Sequence, residues 1–295
     1  MIDRVSVFSD KDLIETLSKK LVPIAIDQWY ERRQKDTKGD FYRKIAGQGP
    51  RKDFAQTTQG MYVATADGQL LGYINHHQID RVRQMVDQAL AKFEPGESAK
   101  VNPDSVDQEY ARVLPKDGIV IRVNTQVLGG YEKAEHKYRK IFQDAIARDN
   151  LWVTADEKKQ LVKGRLPKSI SIRIAKFNLI DNTRGEPPMW SDEEVRSIEC
   201  SLKDGILSGD FHLETKDGKR GFVGEIYGHV ESDGESLSRF DLVAKGKYWG
   251  NGRYTRNPPK GKFPIAMAFR LGDKKDAADL IPPQGTKGWM HQYWE

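Results

Sequence analysis

The stretch Ile198-Glu199-Cys200-Ser201-Leu202-Lys203-Asp204-Gly205-Ile206-Leu207-Ser208-Gly209-Asp210-Phe211-His212-Leu213-Glu214 reads as strand, turn, strand. Ile198, Cys200 and Leu202 alternate with polar residues before the turn, and Phe211 and Leu213 alternate with His212 and Glu214 after it. That is the period of a strand with one buried face. Asp204-Gly205 supplies the turn, because tight hairpin loops need positive φ, which Gly takes freely and Asp tolerates. The pattern continues with Asp217-Gly218 and Asp233-Gly234, and Ile265, Met267, Phe269 and Leu271 give one more strand. Three Asp-Gly turns between alternating segments predict an antiparallel meander. Residues 119–128 and the alternating Ile170, Ile172 and Ile174 bring the count to about seven strands, enough for a sandwich or a small barrel. A helix over residues 132–148, with Ile141, Phe142 and Ala145 inward, and a shorter one capped by Thr154 and Glu157 are inserted before the meander.

The first third is different. Ser9 with Asp12 imitates a capping box before a helix carrying Leu13 and Leu17, and Leu21-Val22-Pro23-Ile24-Ala25-Ile26 is the apolar run of a buried strand. A helix is expected over residues 40–45. Met61 to Thr65 and Leu70 to Ile74, separated by Asp67-Gly68, predict a hairpin. Ile79, Val82, Met85, Val86, Ala89, Leu90 and Phe93 then mark one face of a helix. Residues 94–109 have the polar, Pro- and Ser-bearing composition of a linker. The expected class is therefore α+β, with an α/β domain at 1–93, a linker at 94–109 and a β-rich domain at 110–295. The aromatics of the last stretch, Trp289, Tyr293 and Trp294, are expected to pack back on the β body.

The chain has 295 residues, 48 Lys and Arg against 43 Asp and Glu, and a net charge of +5 spread through both signs. That is too dilute for a basic nucleic-acid arm, so nucleic acid is disfavoured as a partner even at a pI of 9.0. A single cysteine, Cys200, excludes an internal disulfide, a CxxC redox pair and a multi-cysteine metal site. The start lacks an apolar core of signal-peptide length and no later run is long enough to span a bilayer, so a cytoplasmic protein without membrane attachment is expected. Nothing in the sequence calls for a cofactor or a metal; no HExxH, GxSxG or GxGxxG pattern occurs.

Two resemblances add to this reading. The segment Val7-Phe8-Ser9-Asp10 to Leu21-Val22-Pro23-Ile24-Ala25-Ile26-Asp27, with the hairpin at Asp67-Gly68 and the helix at 79–93, resembles the later part of a thioredoxin-like fold. The CxxC is missing, and Gln59-Gly60 stands before Met61 where such proteins carry a proline, so the family's redox activity does not carry over. The segments from Arg173 through Asn182-Thr183-Arg184-Gly185-Glu186-Pro187-Pro188-Met189-Trp190, with Ser238-Arg239-Phe240-Asp241-Leu242-Val243-Ala244 and Tyr248-Trp249-Gly250-Asn251-Gly252-Arg253-Tyr254-Thr255, are similar to a family of uncharacterised bacterial proteins, many from planctomycetes. These join a CxxC-less thioredoxin-like front part to a β-rich back part. The resemblance implies an incomplete thioredoxin-like domain and no known activity.

Two constellations are the main candidates for function. In the loop 181–190, Asp181, Asn182, Arg184, Glu186 and Trp190 sit within ten residues, stiffened by Pro187-Pro188. Arg184 there is suited to grip a carboxylate or phosphate against Trp190; alternatively it pairs with Asp181 or Glu186, and Trp190 is a staple before a Ser191/Glu194 cap. On the meander, strand alternation places His212 with Glu214, Glu225 with Tyr227 and His229, and Arg239 with Asp241 on the face opposite the core. His212, Glu225, His229 and Asp241 are the candidate catalytic residues of a hydrolase or isomerase, perhaps metal-assisted, if that face is enclosed; on an open sheet they are ordinary solvent-facing groups.

Lesser candidates are Trp29-Tyr30-Glu31-Arg32-Arg33 as a stacking site, Asn75-His76-His77 as a helix cap, and Trp249, either in the core or as a sugar-stacking platform. Arg239 and Trp249 join the loop residues as candidate binding groups. Cys200 is expected to be an inert core thiol. The expectation is a non-redox binding or assembly module for a small molecule or a protein, with the enzyme as alternative.

Overall fold

The computed structural model describes residues 7–100, 102, 104–107, 109–110, 112–252, 254–255, 257–273, 275–287 and 293–294; Arg253 and Trp289, singled out above, lie outside them. The chain forms two compact units that divide between Arg112 and Val113.

In the N-terminal unit, helix α1 (Lys11–Lys20) is capped by Asp10, whose Oδ1 accepts from Leu13 N–H at 2.9 Å, rather than by the expected Ser9 box. Residues 21–26 do not form the expected buried strand. Val22 and Ile24 are 85% and 76% exposed, since Pro23 has no N–H to donate and no strand among the described residues pairs with the segment. Asp27 caps a single helical turn, Gln28–Glu31, and Asp36 caps α2 (Thr37–Gly47). The hairpin β1 (Met61–Ala64) and β2 (Leu70–Ile74) forms as expected, with Gly68 in its turn at φ 90°. Helix α3 (Ile79–Ala91) buries Val82, Val86 and Ala89 against it. The segment of linker composition lies on this unit: Asp107 accepts from Lys35 N–H at 2.6 Å, and its own N–H donates to Asp36.

The C-terminal unit is built on a seven-stranded antiparallel sheet, not on two facing sheets. Its strands are β3 (Ile119–Val127), β4 (Ile146–Val153), β5 (Val195–Lys203), β6 (Ile206–Glu214), β7 (Gly221–Ser232), β8 (Leu237–Trp249) and β9 (Phe263–Leu271), in the order β4-β3-β9-β8-β7-β6-β5. One face is covered by helices α5 (Ala155–Val162) and α6 (Lys168–Arg173) and a π-helical turn, Ile174–Asn178. Leu161, Ile170, Ile174 and Ala175 there meet Phe211, Phe222, Ile226, Phe240 and Met267. The expected capping boxes at Thr154/Glu157 and Ser191/Glu194 are both present. Gly224 and Gly246 face each other across β7 and β8, where a Cβ on either would lie within 2.3 Å of the other strand's backbone oxygen. With no side chain at either position, the two strands have room to approach closely there.

Two expected elements differ. Residues 170–174 are helical: Ile170 and Ile174 are one turn apart, so the spacing that imitates a strand also puts both on one buried helix face. The helix over 132–148 shrinks to α4 (Lys137–Gln143), because Ile146–Val153 pairs along the length of β3, from Gln126↔Ile146 to Ile119↔Val153. At the end of the chain Tyr293 is buried beside Phe177, and Trp294 stacks on Trp152, as expected of returning aromatics.

Candidate functional site

The loop 181–190 turns its chemistry inward. Arg184 pairs with Asp181 and donates from Nη1 to the Thr255 carbonyl at 2.5 Å; both side chains are at most 2% exposed. Asp181 Oδ1 accepts from the Thr183 hydroxyl and backbone N–H at 2.6 and 3.1 Å. Trp190 is buried, with its indole N–H donating to the Leu179 carbonyl at 2.8 Å, and Arg220 stacks on its other side. Asn182 keeps a buried, unpartnered Oδ1, while Glu186 reaches outward to Lys287 at 2.7 Å. Of the two readings of this loop the structure has the internal one: Asp181, Arg184 and Trp190 fasten the loop to the sheet's end and present no guanidinium to a ligand. Burial in the same region pushes the Tyr131 and Tyr248 hydroxyls up to about 12.

The residues of the meander share one face, as the alternation predicts, and that face is open. His212 lies beside Glu214, Nε2 to Oε2 3.4 Å. His229 stands opposite Asp241 and edge-on to Tyr227, while Arg239 bridges Asp241 and Glu231, each at 2.7 Å. Glu225 is directly opposite Lys245. Among the described residues no three His, Cys, Asp or Glu stand close enough to share a metal ion. The four candidate catalytic residues are therefore spread over β6, β7 and β8 without converging on an enclosed pocket.

The same face carries a feature that the charged residues mask in the sequence. Val223, Tyr227 and Val243 are 41%, 55% and 46% exposed, and Tyr227 and Val243 are opposite each other across β7 and β8. With Glu225, Lys245, Lys247 and Pro264 they line a shallow groove of about 590 Å³. The signal is available in the alternation itself, which puts Val223 and Val243 on the polar side of their strands.

The remaining motifs are structural. The Trp249 indole is half-buried across Gly221 and donates to the Gly218 carbonyl at 2.9 Å; the core position expected for it belongs to Tyr248. Arg33 stacks on Trp29 at 4.4 Å, and Tyr30 and Arg32 are buried, so that motif folds on itself. It is the His76 ring, Nδ1 accepting from Gln78 N–H at 3.0 Å, and not Asn75, that receives an amide at the start of α3. No family model matches the chain, and neither curated proteins nor solved structures give a match. Among the described residues no helix is long and apolar enough to cross a membrane.

Proposed function

We propose that this chain is a non-redox binding module for a protein partner, working through the outer face of its seven-stranded sheet with Tyr227 at the centre. The observation that carries this reading is exposed Tyr227 beside exposed Val243 across β7 and β8, with exposed Val223 further along β7 beyond the Glu225 and Lys245 pair, all lining one groove. A sheet face normally directs such side chains inward, and exposed apolar patches rimmed by charge mark interaction surfaces. Tyr is enriched in them, having a large contact area and a polar tip. The groove is too open to enclose a small molecule, which favours a protein.

The N-terminal unit is read as a CxxC-less thioredoxin-like part that joins this module in the planctomycete-type arrangement. The hairpin and α3 support that reading, and with one thiol in the chain disulfide exchange has no second partner. A cytoplasmic setting suits a lone reduced cysteine.

The test is site-specific photocrosslinking in cells, with a benzophenone amino acid at position 227 and, as control, at exposed Lys159 on the opposite, helical side. A discrete adduct at 227 that is absent at 159 supports the reading. Equal labelling at both positions, or none at 227, defeats it.

A further inference from the structure

We infer that the partner on this face is a second copy of the chain, packed sheet on sheet about a two-fold axis that runs along the strands between β7 and β8. The inference rests on the reading of this face as the binding surface. An axis of that kind, lying between two facing sheets and parallel to their strands, exchanges left for right. Whatever stands on β8 of one copy comes over β7 of the other at the same level, and every contact occurs twice.

The register makes this exchange complementary. Across β7 and β8 the outward pairs are Val223↔Lys247, Glu225↔Lys245, Tyr227↔Val243, His229↔Asp241 and Glu231↔Arg239. Rotation about the line between them sets Glu225 over the second copy's Lys245, Tyr227 over its Val243 and His229 over its Asp241. Acid meets base, and apolar meets apolar, in these three rows, while Val223 comes over the aliphatic stem of the second copy's Lys247.

Neighbouring lines match fewer charged rows. An axis between β6 and β7 sets Glu225 over Asp210, like on like, and Tyr227 over Ser208. An axis between β8 and β9 sets Val243 over Ala268 and Asp241 over Arg270 but Lys245 over Ala266, one opposite-charge row where the β7/β8 line has two, Glu225 over Lys245 and Glu231 over Arg239.

Glu225 and Lys245 are also available, since among the described residues neither makes an ion pair despite standing opposite each other, whereas Arg239 already holds Asp241 and Glu231. Two antiparallel sheets meeting face to face at about 30° bury the side chains that each leaves exposed. One such layer would cover Val223, Tyr227 and Val243 in both copies.

The test is sedimentation equilibrium of the full chain at micromolar to hundred-micromolar concentration. The wild type is expected to show a dimer. Glu225→Lys and Lys245→Glu each place like charges at two symmetric contacts and are expected to weaken the dimer by about tenfold or more. The double variant Glu225→Lys, Lys245→Glu exchanges the signs and is expected to restore it. These positions are exposed, and circular dichroism checks that each variant is folded. A wild type that stays monomeric, or single variants that dimerise as the wild type does, overturns the inference. A crosslink from position 227 to a protein other than this chain also overturns it and leaves the face's binding role standing; no crosslink at 227 removes both.

Discussion

The guanidinium of Arg220 lies over the indole of Trp190, 3.9 Å from the ring centroid, and its Nη1 donates to the Pro188 carbonyl at 2.6 Å. Both side chains are buried, so one planar cation stacks on the loop's aromatic while satisfying the backbone of its proline pair. Lysine has neither the plane nor the fork whose second nitrogen, Nη2, donates to the Met189 carbonyl at 3.4 Å. Arg220→Lys is therefore expected to cost about 1–3 kcal/mol, read as a lower urea midpoint with unchanged slope. A variant as stable as wild type would mean that the stack contributes nothing.

The contrast between Asp204 and Ile170 shows what is legible in this sequence. Asp204 at φ 50° and Gly205 at 76° adopt the turn that their identity specifies, since few other residues take such angles and the alternating flanks fix the register. Local chemistry decides there. Ile170, Ile172 and Ile174 satisfy strand and helix periods alike, and the choice falls to the sheet, whose inner apolar face is covered by this segment as a helix. Residues 146–153 are resolved as a strand by pairing with β3, twenty or more residues away in sequence. For the candidate site, alternation places His212, Glu225, His229 and Asp241 on one face correctly. Whether Arg184 faces a ligand or Asp181 depends on Thr255, seventy-one residues on, which no local pattern reveals.

Cys200 is half-buried beside the apolar core, and burial pushes its thiol up to about 11. The thiolate is the nucleophile, so at pH 8 only about one molecule in a thousand is reactive. Iodoacetamide is expected to label the folded chain at pH 8 at least about 100-fold more slowly than the urea-denatured chain. Mass spectrometry over time reads both rates, and equal rates would show an accessible, ordinary thiol.

Arg32 is buried while its Nε and Nη1 lack a hydrogen-bond partner, and burial pulls the guanidinium below its usual value. An uncompensated buried charge opposes folding, whereas the aliphatic stem favours it. Arg32→Met keeps the stem and removes the charge. It is expected to leave the protein unchanged or stabilise it by about 1–3 kcal/mol in chemical unfolding. A clear loss of stability would show that the charge is compensated by Asp27 or Asp53, whose fields favour it.

Asp149, on β4, accepts from the Asn150 and Gln284 N–H groups through Oδ1, at 2.8 and 2.9 Å, and leaves Oδ2 buried without a partner. Burial pushes its carboxyl from 3.8 up to about 7 against the opposing pull of those two bonds. Because the folded value lies above the unfolded one, folding takes up a proton between them. The contribution to stability is complete below about pH 4 and is lost as pH rises through 7, at a slope approaching 1.4 kcal/mol per pH unit. Carboxylates held low by partners, such as Asp217 at about 2, act in the opposite direction at still lower pH and do not cover this window. Asp149→Asn keeps an acceptor for both N–H groups and removes the titration. The difference in unfolding free energy between wild type and Asp149→Asn is therefore expected to shift in favour of the variant as pH rises from 5 to 7.5, and to stop changing above that. A difference that is flat across this range would show that Asp149 titrates as an ordinary carboxylate.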